Sequence, residues 1–390
     1  MTEQAQTAAL AALVARRRDE MVDELEMLVE HESPTGDVAR LDALAAVIER
    51  DWVRIGAVAT RHDHAGTGTH LELVWPGPPG TRHDAAPALL VGHHDTVHDI
   101  GALQRNPWRI DDQGRAWGPG TQDMKSGLVI ARHALAALAE HGRPLARPVR
   151  MLITADEEIG SPTSQQLIRA RARECAYALV FEAATSDGAL KTQRKGVALW
   201  TVTVRGRAAH AGQNFFDGVN ANVALAGLVT RLAALSDPAA GSTVNVGVMR
   251  GGTRANVVAA RAEAAIDVRV TSDHEARRIS EALAGLHSDL DVEIQVDGGI
   301  NRPAMTRTAQ TARLFARAQA CARAAGFELA EAAAGGASDG NFTAAEGAPT
   351  LDGFGGVGAG LHTDEEYVLV DSLPQRAALL AAFLATEATS

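Results

Sequence analysis

Apolar residues recur at roughly helical spacing between residues 7 and 32, at Leu10, Leu13, Val14, Met21, Leu25 and Leu28, and predict one long helix. Ser33-Pro34-Thr35-Gly36 ends it, and a second helix is expected over about 37–54. Short apolar runs at 71–75 and 88–92 read as strands, separated by the turn-forming Pro76-Gly77-Pro78-Pro79-Gly80. A helix near 124–141, a strand at 149–155, a helix at 162–172 and a strand at 177–182 then alternate. That alternation predicts α/β layering, with a mixed, mostly parallel sheet flanked by helices.

The texture changes at residue 196. A strand at 197–204, a helix near 218–235, strands near 243–249 and 262–270, a helix near 273–286 and a strand near 291–296 follow. This β-α-β-β-α-β order is the signature of a small α+β, ferredoxin-like unit. Helical patterning resumes over 308–325, after Pro303, and a last helix is expected from residue 372 or 373 to 385. The expected organisation is therefore a domain in two parts, 1–195 and 304–390, with a second domain, 196–303, inserted between them. Residues 197–204 are expected to be the inserted domain's edge strand, a pairing surface for a symmetric dimer.

Composition narrows the functional classes. The 390 residues are too many for one small core, and 46% hydrophobic with 22% charged residues is a globular balance that excludes wholesale disorder. A net charge of −11 argues against a general nucleic-acid binder. No apolar run approaches the roughly 20 residues that span a bilayer, so no membrane association is expected. Cys175 and Cys321 cannot build a disulfide framework, and the N-terminal segment has a charged amphipathic pattern rather than that of a secretory signal. A cytoplasmic location is expected.

Histidines and carboxylates gather where strand-like segments end: His93-His94-Asp95, Asp123, Asp156-Glu157-Glu158, Glu182, and His362 with Asp364. Ligands of open α/β sheets bind beyond the carboxyl ends of the strands, so these clusters can converge. Imidazole with carboxylate oxygen suits zinc and its neighbours, and gathered carboxylates repel one another unless cations neutralise them. The count suits two ions sharing one bridging carboxylate. Each piece alone has a bland reading: an H-x-D triplet is common, an isolated D-E-E is usually a solvated turn, and a histidine in a glycine-rich loop is usually a surface residue. Their joint order carries the chemistry.

That order resembles the di-zinc aminoacylase/carboxypeptidase family. Leu89-Leu90-Val91-Gly92-His93-His94-Asp95-Thr96-Val97 is similar to its first metal motif, and Trp117-Gly118-Pro119-Gly120-Thr121-Gln122-Asp123-Met124-Lys125-Ser126-Gly127 to its second. Thr154-Ala155-Asp156-Glu157-Glu158-Ile159-Gly160-Ser161 looks like the third, with Glu182, Gly206-Arg207-Ala208-Ala209-His210-Ala211-Gly212 and His362-Thr363-Asp364 completing the set. The likeness runs from about residue 20 to 385 and implies a zinc-exopeptidase-like sheet with an inserted dimerisation (lid) domain. It implies two Zn2+ per subunit, replaceable by Co2+ or Mn2+, with His93 and Glu182 on one ion, Glu158 and His362 on the other, and Asp123 bridging. Asp95 would orient His93, and Glu157 would be the general base and then the acid for the leaving amine. His210 would reach the oxyanion from the partner subunit of a homodimer. His94 reads as a wall residue. A cis peptide between Asp123 and Met124 is also implied.

Thr96-Val97 is closer to the bacterial glutamate carboxypeptidase (folate-cleaving) branch than to the D-V-V-P form usual in deacetylases. Lys191, Asn256, Arg269, Arg302-Pro303 and Gly335-Gly336-Ala337-Ser338-Asp339 also match that branch, which makes Lys191, Asn256, Arg269, Arg302 and Ser338 candidate substrate contacts. Either arginine could grip a carboxylate with a bidentate fork, or serve only as a surface ion-pair partner. One departure is Ala183, where the branch usually has proline. The expected substrate is an N-acyl or peptidyl amino acid with a free α-carboxylate. An aminoacylase or N-acetyl-amino-acid deacetylase is the alternative. A catalytically silent binding or scaffold protein is disfavoured because Glu157 and every ligand candidate are present.

Overall fold

The computed structural model describes residues 3–386 and divides into two compact units, one of residues up to 193 with 307–333 and 338 onward, the other of 194–306 with 334–337. In the first unit an eight-stranded sheet has the order Val58–His62, His70–Trp75, Val149–Thr154, Ala88–His93, Tyr177–Val180, Thr350–Asp352, Leu190–Arg194, Glu331–Ala334. The four central strands run parallel, and antiparallel pairings flank them.

Alternation along these strands feeds two separate cores. Leu90, Met151, Ile153 and Leu179 face a large cluster shared with the helices Ser126–His141 and Ser372–Ala385. Leu89, Val91, Leu152, Ala178 and Val180 face a smaller cluster with Ile168 and Phe342. Buried on both faces, the central strands are nearly continuous apolar runs.

The expected helix over 7–32 is two helices, Glu3–Ala15 and Arg18–Glu30. Apolar periodicity runs through the break without glycine or proline. The first helix packs chiefly on Ser372–Ala385, whereas the second packs chiefly on Ser126–His141, so tertiary contacts set the division. Asp37 starts the helix Val38–Arg54 by accepting a hydrogen bond from the Arg40 amide.

The second unit has the strands Gly196–Arg205, Thr243–Gly251, Arg261–Val270 and Glu293–Arg302 with the helices Ala221–Ala233 and Asp273–Ala284, in the β-α-β-β-α-β order read above. Its sheet order corrects one expectation. Gly196–Arg205 is an inner strand, paired with Arg261–Val270 on one side and Glu293–Arg302 on the other, and the edges are Thr243–Gly251 and Glu293–Arg302. The first crossover helix carries the chain to the far edge at Thr243–Gly251, the next strand, Arg261–Val270, fills the place beside Gly196–Arg205, and the second crossover brings Glu293–Arg302 to its other side.

Candidate active site

Three parallel strands of the first unit deliver their side chains at the same sheet end. Ala88–His93 ends on His93, Val149–Thr154 runs into Asp156-Glu157-Glu158, and Tyr177–Val180 runs through Phe181 to Glu182. His93 Nε2 lies 3.3 Å from Asp123 Oδ1 and 3.5 Å from Glu182 Oε1. His362 Nε2 lies 3.1 Å from Asp123 Oδ2 and 3.5 Å from Glu158 Oε2. The potential ligand atoms within each trio, His93–Asp123–Glu182 and Asp123–Glu158–His362, fall within 4.8 Å of one another. Asp123 belongs to both and turns one oxygen to each histidine. The Asp123–Met124 peptide is cis, as the resemblance implies.

Behind this layer Asp95 is fully buried and contacts both His93 and the turn that carries Glu157. Its backbone oxygen sits 2.9 Å from His93 Nδ1, and its Oδ1 lies 3.3 Å from the same nitrogen. With a cation at Nε2 this contact would keep the ring proton on Nδ1. Asp95 also accepts from the amides of Glu157 and Glu158, each at 3.2 Å, and from Thr35 Oγ1 at 2.8 Å. The Ser33–Gly36 turn is thus a support for the site as well as a helix stop. Asp156, next to Glu157, anchors the following turn by accepting from the backbone and hydroxyl groups of Thr163 and Ser164.

The donor set fits divalent cations. His93 Nε2, Asp123 Oδ1 and Glu158 Oε1 are buried without a hydrogen-bond partner, a costly state for acceptors that face one another. Burial, and then the Asp123 charge, push the Glu158 carboxyl up to about 10. Burial opposes the ionised Asp123 as well, yet His362 and His93 hold its carboxyl well below the usual range. Burial likewise disfavours the charged His93, but Asp123, Asp95 and Glu182 raise it well above its ordinary value. Cations between these groups would neutralise the carboxylates and take up the idle lone pairs. Buried His94 is pushed down to about 4 by desolvation, consistent with a neutral wall residue.

The remaining predicted residues fall into separate groups. Lys191 is buried and its Nζ donates to the Ala183 carbonyl at 2.7 Å. Ser338 has no exposed surface, donates to Asp352 Oδ2 at 2.5 Å and accepts from the Gly340 amide. Its hydroxyl thus ties its loop to the end of the strand Thr350–Asp352. Asp364 pairs with Arg105 at 2.9 Å.

In the second unit, exposed His210 and Asn256 lie on adjoining segments, with the Ala211 amide donating to the Asn256 carbonyl. Arg269 and Arg302 stand opposite the same residue, Val197, from the two strands beside it. Arg269 is already forked onto Asp267 at 2.7 and 2.8 Å.

Sequence reasoning passed over Glu366, a fully buried carboxylate of the first unit, just before the strand Tyr367–Leu369, that hydrogen-bonds the loop carrying Asp123. Its only sequence signal is its place beside the strand Tyr367–Leu369, since Asp364, Glu365 and Glu366 otherwise read alike.

The family model of peptidase family M20/M25/M40 matches residues 89–386. Carboxypeptidase G2 of Pseudomonas sp. (strain RS-16) is 31% identical over 364 residues, 91% of this chain and 86% of that protein. Succinyl-diaminopimelate desuccinylase of Stutzerimonas stutzeri is 25% identical over 312 residues, 75% of this chain and 80% of its own length. Among solved structures, aminopeptidase PepT of Bacillus cereus is similar in fold, with a TM-score of 0.77 and 23% identity over 94% of this chain and 98% of its own. The family match spans both histidine–carboxylate trios, and with a relative aligned over nine-tenths of the chain it makes this protein a member of peptidase family M20/M25/M40, metal-dependent peptidases and amidohydrolases.

Proposed function

We propose that the chain is a di-zinc exopeptidase or amidohydrolase that cleaves the amide bond of an N-acyl or peptidyl amino acid with a free α-carboxylate, in the manner of a glutamate carboxypeptidase. The observation that carries this reading is Asp123 shared between two trios beside the turn that holds Glu157. His93, Asp123 and Glu182 would hold one ion, and Asp123, Glu158 and His362 the other. Imidazole and carboxylate ligands without thiolate suit zinc, with Co2+ or Mn2+ as substitutes. Bound there, the pair would supply Lewis acidity to the scissile carbonyl and lower the pKa of water.

The chain's own groups do the rest. Asp95 keeps the His93 ring in one tautomer and, through the Glu157 and Glu158 amides, steadies the turn bearing the base. Glu157 takes the proton from the attacking water and delivers it to the leaving nitrogen. His210 Nδ1 accepts from the Gly212 and Gln213 amides, which leaves Nε2 as a donor suited to the oxyanion. We assign that role to His210 across a homodimer, with the unit of residues 194–306 as its dimerisation domain. Arg302 and Arg269, with Asn256 near His210, would read the substrate carboxylate. Among the described residues no helix is long and apolar enough to cross a membrane, and the proposed setting is the cytoplasm.

A second reading, aminoacylase or N-acetyl-amino-acid deacetylase, draws support from the desuccinylase relative, from an acetylornithine deacetylase of Myxococcus xanthus and from Ala183. Comparing hydrolysis of N-acyl and dipeptide substrates with their C-terminal amides tests the proposal. Amidation removes the charge that the arginine would read and is expected to cost about 2–5 kcal/mol in transition-state binding. Equal rates for acid and amide would reject the requirement for a free carboxylate.

A further inference from the structure

The loop that carries Asp123 is folded around a single side chain. Glu366 Oε1 accepts from the amides of Gln122 at 2.7 Å and Asp123 at 2.9 Å, and Oε2 accepts from the amide of Gly120 at 2.9 Å. His98 Nε2 completes the set at 2.6 Å from Oε2. The backbone carbonyl of Glu366 also accepts, from the Gly118 amide at 3.2 Å and from Asn106 Nδ2 at 3.1 Å. Gly120, at φ +72°, takes the left-handed conformation that this turn requires.

Four donors converging on one carboxylate match its four lone-pair sites, and amides curled about a point form a nest that calls for an anion. Both Glu366 and His98 are buried. Glu366 also follows His362 by four residues. The ring of His362 is about half exposed and lies 3.1 Å from Asp123 Oδ2, so packing alone does not fix it. One residue therefore fastens the Asp123 backbone and, through its own chain, the segment bearing His362.

We infer that Glu366, steadied by His98, is the positioning residue for the bridging carboxylate: it sets the direction in which Asp123 presents its two oxygens, and so governs the affinity of both ion positions together. The inference rests on the reading of the two trios as metal sites. Glu366 itself touches neither ion position. Its carboxylate is turned inward to amides, and a neutral amide in its place would set an N–H group against at least one N–H donor.

The test is zinc titration of the whole metal-stripped protein, reading the half-saturation of the first and second ion, alongside the thermal midpoint of the stripped protein. Glu366→Gln is expected to weaken both ions about 10–100-fold, the range for orienting partners of metal ligands. His98→Gln should weaken both by a smaller factor. Glu365→Gln, one residue away and exposed, should leave both unchanged. Unchanged affinities in a folded Glu366→Gln protein would overturn the inference, and so would a loss confined to the second ion. A lowered midpoint without an affinity change would make Glu366 merely structural. If Glu366→Gln does not fold, His98→Gln decides, and equal affinities there overturn the proposal. Wild-type protein that binds no ions would instead reject the metal reading itself.

Discussion

In the proposed mechanism Asp123 and Glu157 divide the work of the site, one as the shared carboxylate and the other as the proton carrier beside it. The Glu157 amide is fixed by Asp95, so exchanging its side chain for the isosteric amide would remove the proposed base without removing a proposed ligand. Glu157→Gln is expected to keep both ions and lose about 10²–10⁴-fold in turnover. Kinetics with metal analysis on one preparation check this, and near-normal turnover in a fully metallated variant would exclude Glu157 as the base. At this scale the order of motifs in the chain drew attention to the residues that the structure gathers. Glu366 escaped because burial distinguishes it from Asp364 and Glu365, and burial in a three-acid run leaves no mark in sequence. A motif match marks Ser338 as a candidate substrate contact, and the structure gives its hydroxyl two partners, Asp352 and Gly340.

Elements bring these residues together by close backbone approach. On the helix Ser126–His141, a Cβ at Gly127 would lie 2.3 Å from the Phe181 carbonyl oxygen and 2.7 Å from Met124 Cε. The obstacle is backbone, one residue before Glu182, and cannot swing aside. Gly127→Ala therefore pits a helix-propensity gain of up to about 1 kcal/mol against an overpacking cost of about 1–3 kcal/mol or more. We expect net destabilisation, seen as a lower urea midpoint, and a displaced Glu182. A midpoint at or above wild type would show that the helix can retreat from the sheet.

Long periodic helices and continuous apolar strands were legible in sequence because burial imposes their pattern. The flanking strands Val58–His62, Leu190–Arg194 and Glu331–Ala334 were not, since their short or polar sequences lack a clean alternation and their pairing depends on distant partners. Likewise, no residue pattern marked the inner place of Gly196–Arg205, which follows from chain crossover rather than composition.

At the scale of the whole molecule, two units with separate cores must cooperate if His210 completes a site of the first. In the proposed dimer, Glu157→Gln and His210→Ala homodimers should each be nearly inactive. Random re-association makes half the dimers hybrid, and each hybrid has one site free of both lesions. Activity should return to roughly a quarter of wild type, from symmetry alone. Absence of recovery, with subunit exchange confirmed, would mean that His210 serves its own chain. The fold class was readable from the chain because alternating helices and strands admit few layerings. How the units pair was not, because exposed faces are not constrained by a period. The central claim is that two cations share Asp123. Stripping the protein with a chelator and titrating zinc back, while recording bound metal and turnover together, tests it most directly. The account predicts two ions per chain, full turnover only when both are bound, and loss of both ions in Asp123→Ala. Full turnover with one ion or none, or two ions retained by Asp123→Ala, would contradict it.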